Sequence, residues 1–388
     1  MRIIHTSDWH LGQMLFNYDR MEEQHFFLKQ LRGYVEEYQP DALAVSGDVY
    51  QTSMPSAATQ KMFTEAVLEM HKACQAMTIV ITGGNHDSAS RLEIDRKLWQ
   101  ELGVHVLGRL QLTEDMDADF DKHIIAVGNK GLIAAIPHVY PQNFPVSEVT
   151  FFDRLAEEVA RRNVKGLPTV LMAHLTVKGC DLTGHTQYQD SIGTIEDVPL
   201  QLLGTGYSYI ALGHIHHEQN VGPRARYSGS PLAVSFDEDY PHSVSLVDIG
   251  SETTIRQLSI ANLHPLQTIP HEPADFDEAV TALRCSEFNG YTPYVRLNVL
   301  TKNGLAADAV EKANNAAAES GSRFCTFKLT RVSEAGANTW ADITPDELKE
   351  MRPTDIARKY MEGRGISIEG AEEMMQTVID IINKEDRQ

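Results

Sequence analysis

Short apolar runs recur along the first part of the chain, and each of them ends in glycine or polar residues. These runs cover residues 3–4, 42–45, 78–81, 170–172 and 209–212. Continuous apolar runs of this kind are typical of strands buried on both faces, as in a parallel sheet. The pattern therefore predicts at least five buried strands.

The segments between these runs carry apolar residues at helical spacing. In residues 19–38, for example, Phe26, Phe27, Leu31, Tyr34 and Val35 recur at the spacing of one helix face. The same spacing predicts helices over 56–73, 89–102 and 150–163. Strands that alternate with helices form packed layers, so we expect an α/β fold in which sheets are flanked by helices.

A polar motif follows each of the five apolar runs. In chain order the motifs are Asp8-Trp9-His10, Gly47-Asp48, Gly84-Asn85-His86-Asp87, Ala173-His174 and Gly213-His214-Ile215-His216. Functional groups in open α/β sheets gather beyond the carboxyl ends of the strands, so these side chains should converge on one rim. Taken singly the motifs are weak, because a lone histidine is usually a core residue and Gly-Asn-His-Asp can be a turn. His-x-His on a strand is more specific, since alternation would point both imidazoles to one face.

The converging donors are hard oxygen atoms and imidazole nitrogens. This mixture suits manganese, iron or zinc. A carboxylate placed between two such donor sets can bridge two metal ions, as in two-metal hydrolases. The conjunction of all five motifs predicts a hydrolase of that type.

Composition limits the class of protein. The chain has 388 residues, 42% of them hydrophobic, which is enough for two or three globular domains. No apolar stretch approaches a membrane span, and the start lacks a basic-then-apolar leader. The four cysteines are widely spaced and predict neither a disulfide framework nor a thiolate zinc site, so we expect a cytoplasmic protein.

The formal net charge of −20 bears on the substrate. A protein that grips duplex DNA alone usually needs a basic surface. Either the substrate is not a nucleic acid, or the metal ions and a partner supply the positive field.

Beyond residue 250 the metal-type motifs stop. Residues 275–287 and 305–319 predict helices, and 294–300 and 323–329 alternate like half-buried strands. Residues 344–388 are predicted to be helical, with a capping box at Thr344 and a terminal apolar stripe at Met374, Val378, Ile381 and Ile382. The glycine-rich stretch 178–197 predicts a long loop, which either contacts substrate or is simply irregular.

The order of the five motifs resembles the calcineurin-like metallophosphoesterase superfamily. Three further stretches are similar to its SbcD nuclease family in particular: residues 1–12, 227–231 and 235–238. The resemblance is strong over residues 1–250 and mainly architectural after that.

The resemblance implies a four-layer αββα sandwich with a small α+β capping domain and a helical tail. The implied boundaries are 1–258 for the nuclease domain, 259–338 for a capping domain that shapes DNA access, and 339–388 for helices that bind an ATPase. The alternatives are that the middle module only stabilises the chain and that the terminal helices pack on their own domain.

Site residues also follow from the resemblance. One metal is assigned to Asp8, His10 and His216, and the other to Asn85, His174 and His214, with Asp48 bridging them. The usual ion in this family is Mn²⁺. His86 adjoins Asn85 but is expected to point to the other side of the turn, as suits a non-ligand, and to act on the scissile phosphate as a general acid or electrostatic stabiliser.

The chain departs from the family pattern at Gln51, where many relatives carry an Asp that supports this histidine. A neutral amide can accept an imidazole N–H bond but cannot stabilise an imidazolium by charge.

The implied function is that of an Mn²⁺-dependent DNA exonuclease and endonuclease acting on duplex ends and hairpins in repair and recombination. Its implied partners are an SbcC-type ATPase and a second copy of the chain, in a heterotetramer. The alternatives are a phosphodiesterase or phosphatase on small or protein substrates, and a mainly structural clamp for the ATPase.

Overall fold

The computed structural model describes residues 1–184, 198–302 and 304–331. The predicted helices of residues 344–388 and most of the predicted loop 178–197 lie outside these residues.

The described residues form seventeen strands and seven α-helices. The strands are β1 (Arg2–Thr6), β2 (Met14–Leu15), β3 (Tyr18–Asp19), β4 (Ala42–Ser46), β5 (Thr78–Thr82), β6 (Val104–Leu107), β7 (Ile124–Val127), β8 (Gly131–Ala135), β9 (Thr169–His174), β10 (Tyr209–Gly213), β11 (Gln219–Asn220), β12 (Ala225–Tyr227), β13 (Ser243–Ile249), β14 (Thr253–Ser259), β15 (Leu266–Ala274), β16 (Tyr294–Thr301) and β17 (Arg323–Arg331). The helices are α1 (Met21–Tyr38), α2 (Ala57–Ala73), α3 (Ala89–Leu92), α4 (Arg96–Glu101), α5 (Glu148–Arg162), α6 (Phe276–Arg284) and α7 (Ala309–Ser320).

Two six-stranded sheets form the centre of the larger unit. The first has the order β14-β13-β1-β4-β5-β6, and the second has the order β11-β12-β10-β9-β8-β7. Strands β1, β4, β5 and β6 are parallel, as are β8, β9, β10 and β12. All five strands predicted from the apolar runs are present, and each is almost wholly buried.

Three apolar clusters define four layers. One cluster contains residues of both sheets, such as Ile3 and Val80 of the first and Val170 and Ala211 of the second, so the sheets pack face to face. A second cluster joins the outer face of the first sheet to α1 and α2, and a third joins the outer face of the second sheet to α5. The predicted four-layer αββα sandwich is confirmed.

The predicted helices differ from the structure in two places. Helix α1 begins at Met21 because Tyr18–Asp19 pairs with Met14–Leu15 in a short hairpin. The helix predicted over 89–102 is divided into α3 and α4. The side chain of Glu93, at the break, accepts a hydrogen bond from the backbone N–H of Gly108 at 2.8 Å.

The described chain divides into two compact units. The first contains Met1–Thr268, Glu287–Arg296 and Gly321–Cys325. The second contains Ile269–Ser286, Leu297–Ser320 and the described residues from Thr326 onward, with α6 packed on α7. Every strand and helix predicted between 275 and 329 is present, while the boundaries at 258 and 338 stay predictions.

All four cysteines are free. Within the described segments, no helix has the length and apolar character needed to cross a bilayer.

Candidate metal centre

The predicted site residues lie just beyond the carboxyl ends of five central strands. The first sheet supplies Asp8 and His10 after β1, Asp48 after β4, and Asn85 and His86 after β5. The second sheet supplies the remaining three: His174 at the end of β9, and His214 and His216 after β10. The structure therefore brings all eight side chains to the rim where the two sheets meet.

Donor atoms of these side chains form compact groups. Asp8, His10 and His216 make one group, and Asp48, His174 and His214 make another, with the donor atoms of each group all within 4.8 Å of one another. A third group, which overlaps the other two, consists of His10, Asp48 and His86. Distances of this size between mixed oxygen and nitrogen donors suit ligands that share one ion.

Asp48 lies between the two main groups. Its Oδ2 is 3.4 Å from Nε2 of His174 in one group and 3.9 Å from Nε2 of His10 in the other. Its Oδ1 accepts a hydrogen bond from the backbone N–H of His86 at 2.9 Å, which fixes the carboxylate. One oxygen of a buried carboxylate thus faces both groups, as a bridging ligand would.

The environment of His174 fits a cation. Its Nδ1 lies 2.8 Å from the carbonyl oxygen of Ser46, which is only an acceptor, so Nδ1 carries the hydrogen. Its Nε2 then faces two oxygens, Oδ2 of Asp48 and Oδ1 of Asn85, the latter at 3.0 Å. A neutral ring would point a lone pair at both oxygens, so this nitrogen needs a metal ion or a proton. Burial lowers the pKa of His174, but the Asp48 carboxylate outweighs that effect and raises it to about 9.

His216 is held by a carboxylate that the sequence motifs did not identify. Its Nδ1 lies 3.0 Å from Oε1 of Glu238, whose side chain is completely buried. The other oxygen of Glu238 accepts hydrogen bonds from the Ser230 hydroxyl and the backbone N–H of Val234. Metal-bound histidines usually donate their second ring N–H to such a group, which fixes the ring and strengthens the ligand. Burial lowers the pKa of His216 to about 4, so its ring is neutral, as a ligand must be, at ordinary pH.

The ring of His216 also faces His10. Their Nε2 atoms are 3.1 Å apart, and both belong to the group that contains Asp8. The Asp8 carboxylate is held by the Ser7 hydroxyl and by the backbone N–H of His214, the latter at 3.1 Å. Neighbouring hydrogen bonds therefore position the Asp8 and His216 side chains before any ion binds.

The backbone at the centre is strained. Asp8, His10, Asp48 and His214 have positive φ angles of 53°, 45°, 48° and 99°. Residues other than glycine rarely adopt this region, and such strain concentrates at functional sites. The structure also differs here from the sequence prediction: β10 ends at Gly213, so His214 and His216 do not alternate along a strand and instead serve different groups.

Two motif glycines allow the strand ends to approach. A Cβ on Gly213 would lie 1.8 Å from the Ser46 carbonyl oxygen, and one on Gly84 would lie 2.0 Å from Oδ1 of Asp48. Neither distance is possible for a side chain. The motifs Gly213-His214 and Gly84-Asn85 therefore need glycine because a neighbouring motif occupies the space of a side chain.

His86 faces a different part of the site from its neighbour Asn85, whose Oδ1 lies against His174. One of its ring nitrogens belongs to the group with His10 and Asp48, and its ring packs edge-on against His10 with centroids 5.0 Å apart. Its Nδ1 donates to the main-chain carbonyl of Gln51 at 2.9 Å. The backbone at position 51, rather than the amide side chain, thus orients His86, so the absence of an Asp there does not leave the ring unsupported.

Two further side chains at the rim were not predicted as site residues. Asp87 accepts hydrogen bonds from the backbone N–H groups of Val49, Tyr50 and Gly84, which ties the Asp48 loop to the Asn85 turn. His138, after β8, donates from Nδ1 to the carbonyl of His174 at 3.2 Å. Asp87 stands inside a motif and was identifiable, whereas nothing in the local sequence of His138 indicates this contact.

Comparison with known proteins agrees with this geometry. The calcineurin-like phosphoesterase family matches residues 1–218. The SbcD subunit of the SbcCD nuclease from Rhodobacter capsulatus is 34% identical over 305 residues, which are 73% of this chain and 75% of that protein. The SbcD subunits from Bacillus subtilis and Escherichia coli are 32% and 28% identical, over 69% of this chain in each case and 71% and 70% of their own lengths. The chain therefore belongs to the calcineurin-like phosphoesterase family of metal-dependent hydrolases, in the branch of the SbcD nucleases.

Proposed function

We propose that this chain is the nuclease component of an SbcCD-type complex. It hydrolyses phosphodiester bonds at duplex ends and hairpins with two divalent ions, Mn²⁺ in the cell, as an exonuclease and endonuclease of DNA repair and recombination. The observation that carries this proposal is the Asp48 carboxylate, which faces two separate groups of metal donors with one oxygen.

The proposed ligands are those of the two donor groups. Asp8, His10 and His216 hold one ion, Asn85, His174 and His214 hold the other, and Asp48 bridges them. Oxygen and imidazole donors without thiolate suit Mn²⁺. A pair of divalent ions at such a site supplies an activated water and neutralises charge on the phosphodiester.

Local charge accounts for an anionic substrate on an acidic chain. Of the seven proposed ligands only Asp8 and Asp48 are carboxylates, so two divalent ions together with these ligands would carry a net charge of about +2. Asn85 contributes to this result because its amide oxygen is neutral. The overall charge of −20 therefore does not determine the field at the rim.

His86 is the proposed catalytic residue. With Nδ1 donating to the Gln51 carbonyl, its Nε2 faces the metal donors and can hold a proton for the leaving oxygen. The Gln51 carbonyl fixes the ring in this orientation.

The proposed partner is an SbcC-type ATPase, in a complex that contains two copies of each component. Support for a second copy of this chain comes from Ile94, between α3 and α4, and Leu98 in α4, which are 74% and 69% exposed. Contiguous exposed apolar patches mark interaction surfaces, and we propose that these two side chains, four residues apart in the sequence, belong to one. The proposed boundaries remain 1–258, 259–338 and 339–388, and the proposed location is the cytoplasm.

A cleavage assay tests the function. The full chain, with and without the ATPase and ATP, is incubated with Mn²⁺ and linear duplex, hairpin DNA or a phosphate monoester. We expect cleavage of both DNAs and little hydrolysis of the monoester. Preference for the monoester would favour a phosphatase, and no hydrolysis of any substrate would favour a structural clamp.

Removal of residues 344–388 tests the proposed tail. Every proposed ligand precedes residue 217, so Mn²⁺-dependent cleavage should survive the truncation. Copurification with the ATPase should be lost. A truncated chain that still copurifies would contradict this assignment, and one that fails to fold would indicate helices packed on their own domain.

A further inference from the structure

An aromatic side chain occupies the tip of the hairpin that follows the first metal motif. Strands β2 and β3 pair Met14 with Asp19 and Leu15 with Tyr18, which leaves Phe16 and Asn17 as a two-residue loop. Phe16 has a φ angle of 53°, and half of its surface is exposed. The first position of such a loop with positive φ is usually glycine, asparagine or aspartate.

The two-residue loop accounts for the positive φ at position 16 but not for a phenylalanine there. For a bulky side chain, positive φ is a marked outlier. In the described part of the chain eight residues other than glycine have positive φ, and four of them are proposed metal ligands. Half of the strained positions in the described residues are thus proposed metal ligands, in keeping with the tendency of such strain to concentrate at functional sites.

The base of the hairpin is fixed to the metal centre. Leu15 is buried in a cluster with Phe236 and Tyr294, and the Phe16 ring contacts Phe236 with centroids 6.1 Å apart. Gln13 donates from its backbone N–H to the His10 carbonyl and from its side chain to the Val234 carbonyl. The same 234–238 segment contains Glu238, which orients His216, so the tip and a proposed ligand share one support.

We propose that Phe16 is a stacking contact for a nucleobase of the DNA substrate. This inference rests on the proposed function and adds a determinant of substrate choice to it. The face of a base is open to an aromatic ring only where stacking ends, at a duplex terminus or at an unpaired base. An exposed ring on the hairpin that follows the first metal motif, supported by the segment that also holds Glu238, thus favours DNA ends and hairpin loops over internal duplex.

Fluorescence of 2-aminopurine tests the contact independently of cleavage. The probe base is placed at the terminus of a duplex with phosphorothioate linkages, and in a second duplex at an internal position. Binding of the full-length chain should quench the terminal probe and not the internal one. Phe16→Gly, which suits the backbone and removes the ring, should lose this quenching and weaken end binding by about tenfold. Phe16→Tyr should retain both.

Met116→Gly is the matched control. Met116 also combines positive φ, 62°, with an exposed apolar side chain, but it lies in the turn between β6 and β7, which supplies no proposed ligand. Thermal unfolding and Mn²⁺ stoichiometry show whether each variant is intact. The inference would be overturned if Phe16→Gly quenched the terminal probe as strongly as the wild type does. It would also be overturned if Met116→Gly lost as much of this quenching as Phe16→Gly. Quenching lost with Phe16→Gly while the wild type cleaves no DNA would instead refute the proposed function alone.

Discussion

Single residues at the centre depend on partners far away in sequence. His216 is oriented by Glu238, 22 positions later, and His174 by the main-chain carbonyl of Ser46, 128 positions earlier. The ligand candidates were predictable because each follows an apolar run in a short motif. The supporting groups were not, since a backbone carbonyl has no sequence signal and Glu238 belongs to no metal motif. The contact that orients His86, with the main-chain carbonyl of Gln51, was not predictable for the same reason.

The first prediction separates metal binding from proton transfer. His86→Ala should bind two Mn²⁺ ions and lose about 10²–10⁴-fold in cleavage rate, because the proposed general acid is removed while all proposed ligands remain. Asp48→Asn should lose both ions together. Metal analysis and single-turnover cleavage measure the two effects, and a metal-depleted His86→Ala would make this histidine a ligand.

The second prediction concerns Glu238. Burial raises the pKa of Glu238 to about 7, so its carboxylate is charged above that pH. Glu238→Gln keeps the size of the side chain but removes this charge beside His216, so at about pH 8 the affinity for Mn²⁺ should fall about 10–100-fold. Asp237→Asn is the control, because the Asp237 side chain is half exposed and pairs with Arg296 instead. Calorimetric titration with Mn²⁺ measures the affinity of both variants. If Glu238→Gln bound Mn²⁺ as tightly as Asp237→Asn, Glu238 would have no influence on His216 as a metal ligand.

Elements with strong local patterns were predicted, and those without them were missed. Strands β4, β5, β9 and β10 are continuous apolar runs, and the structure contains each of them. The β2–β3 hairpin was missed because Phe16-Asn17 is not a typical turn sequence. Residues 89–102 were predicted as one helix. The break in this helix is accompanied by a hydrogen bond between Glu93 and Gly108, and the local sequence does not show such a tertiary contact.

The third prediction tests how closely the strand ends approach. Gly213→Ala places a methyl group on the Ser46 carbonyl and within 2.9 Å of Nδ1 of His174, so β4 and β10 must separate. We expect a loss of about 1–3 kcal/mol in unfolding free energy, together with weaker Mn²⁺ binding. Gly33→Ala in α1, where no atom lies within 4 Å, should instead be neutral or stabilising. Denaturant unfolding measures both variants. If Gly213→Ala were as stable as Gly33→Ala, the close packing of the strand ends would be contradicted.

At the scale of the whole molecule, the sandwich and the site reinforce each other. Each sheet alone holds only part of the proposed ligand set, so the donor groups form only when the two sheets pack through their shared apolar cluster. This convergence could be predicted because parallel strands point their carboxyl ends in one direction. The sequence pattern did not predict β13 and β14, which extend the first sheet antiparallel at its edge.

The fourth prediction is the pH dependence of stability. Burial lowers the pKa of His174, but the Asp48 carboxylate raises it more strongly. The pKa is therefore about 9, against an ordinary value of 6.5. In the metal-free chain the protonated ring therefore contributes stability below pH 6.5, which is lost as pH rises through 9. Mn²⁺ takes the place of this proton, so its stabilising effect should grow from about pH 6 to about pH 9. Thermal unfolding with Mn²⁺ and with a chelator measures it, and a metal effect that is constant with pH would argue against His174 as a ligand.

The central claim is that one carboxylate holds two metal ions. Anomalous diffraction at the manganese edge, from crystals of the chain grown with Mn²⁺, tests it directly. Two peaks about 3.5–4 Å apart are expected, one beside Asp8, His10 and His216, the other beside Asn85, His174 and His214, and both in contact with Asp48. A single peak, or two peaks of which Asp48 contacts only one, would contradict the account.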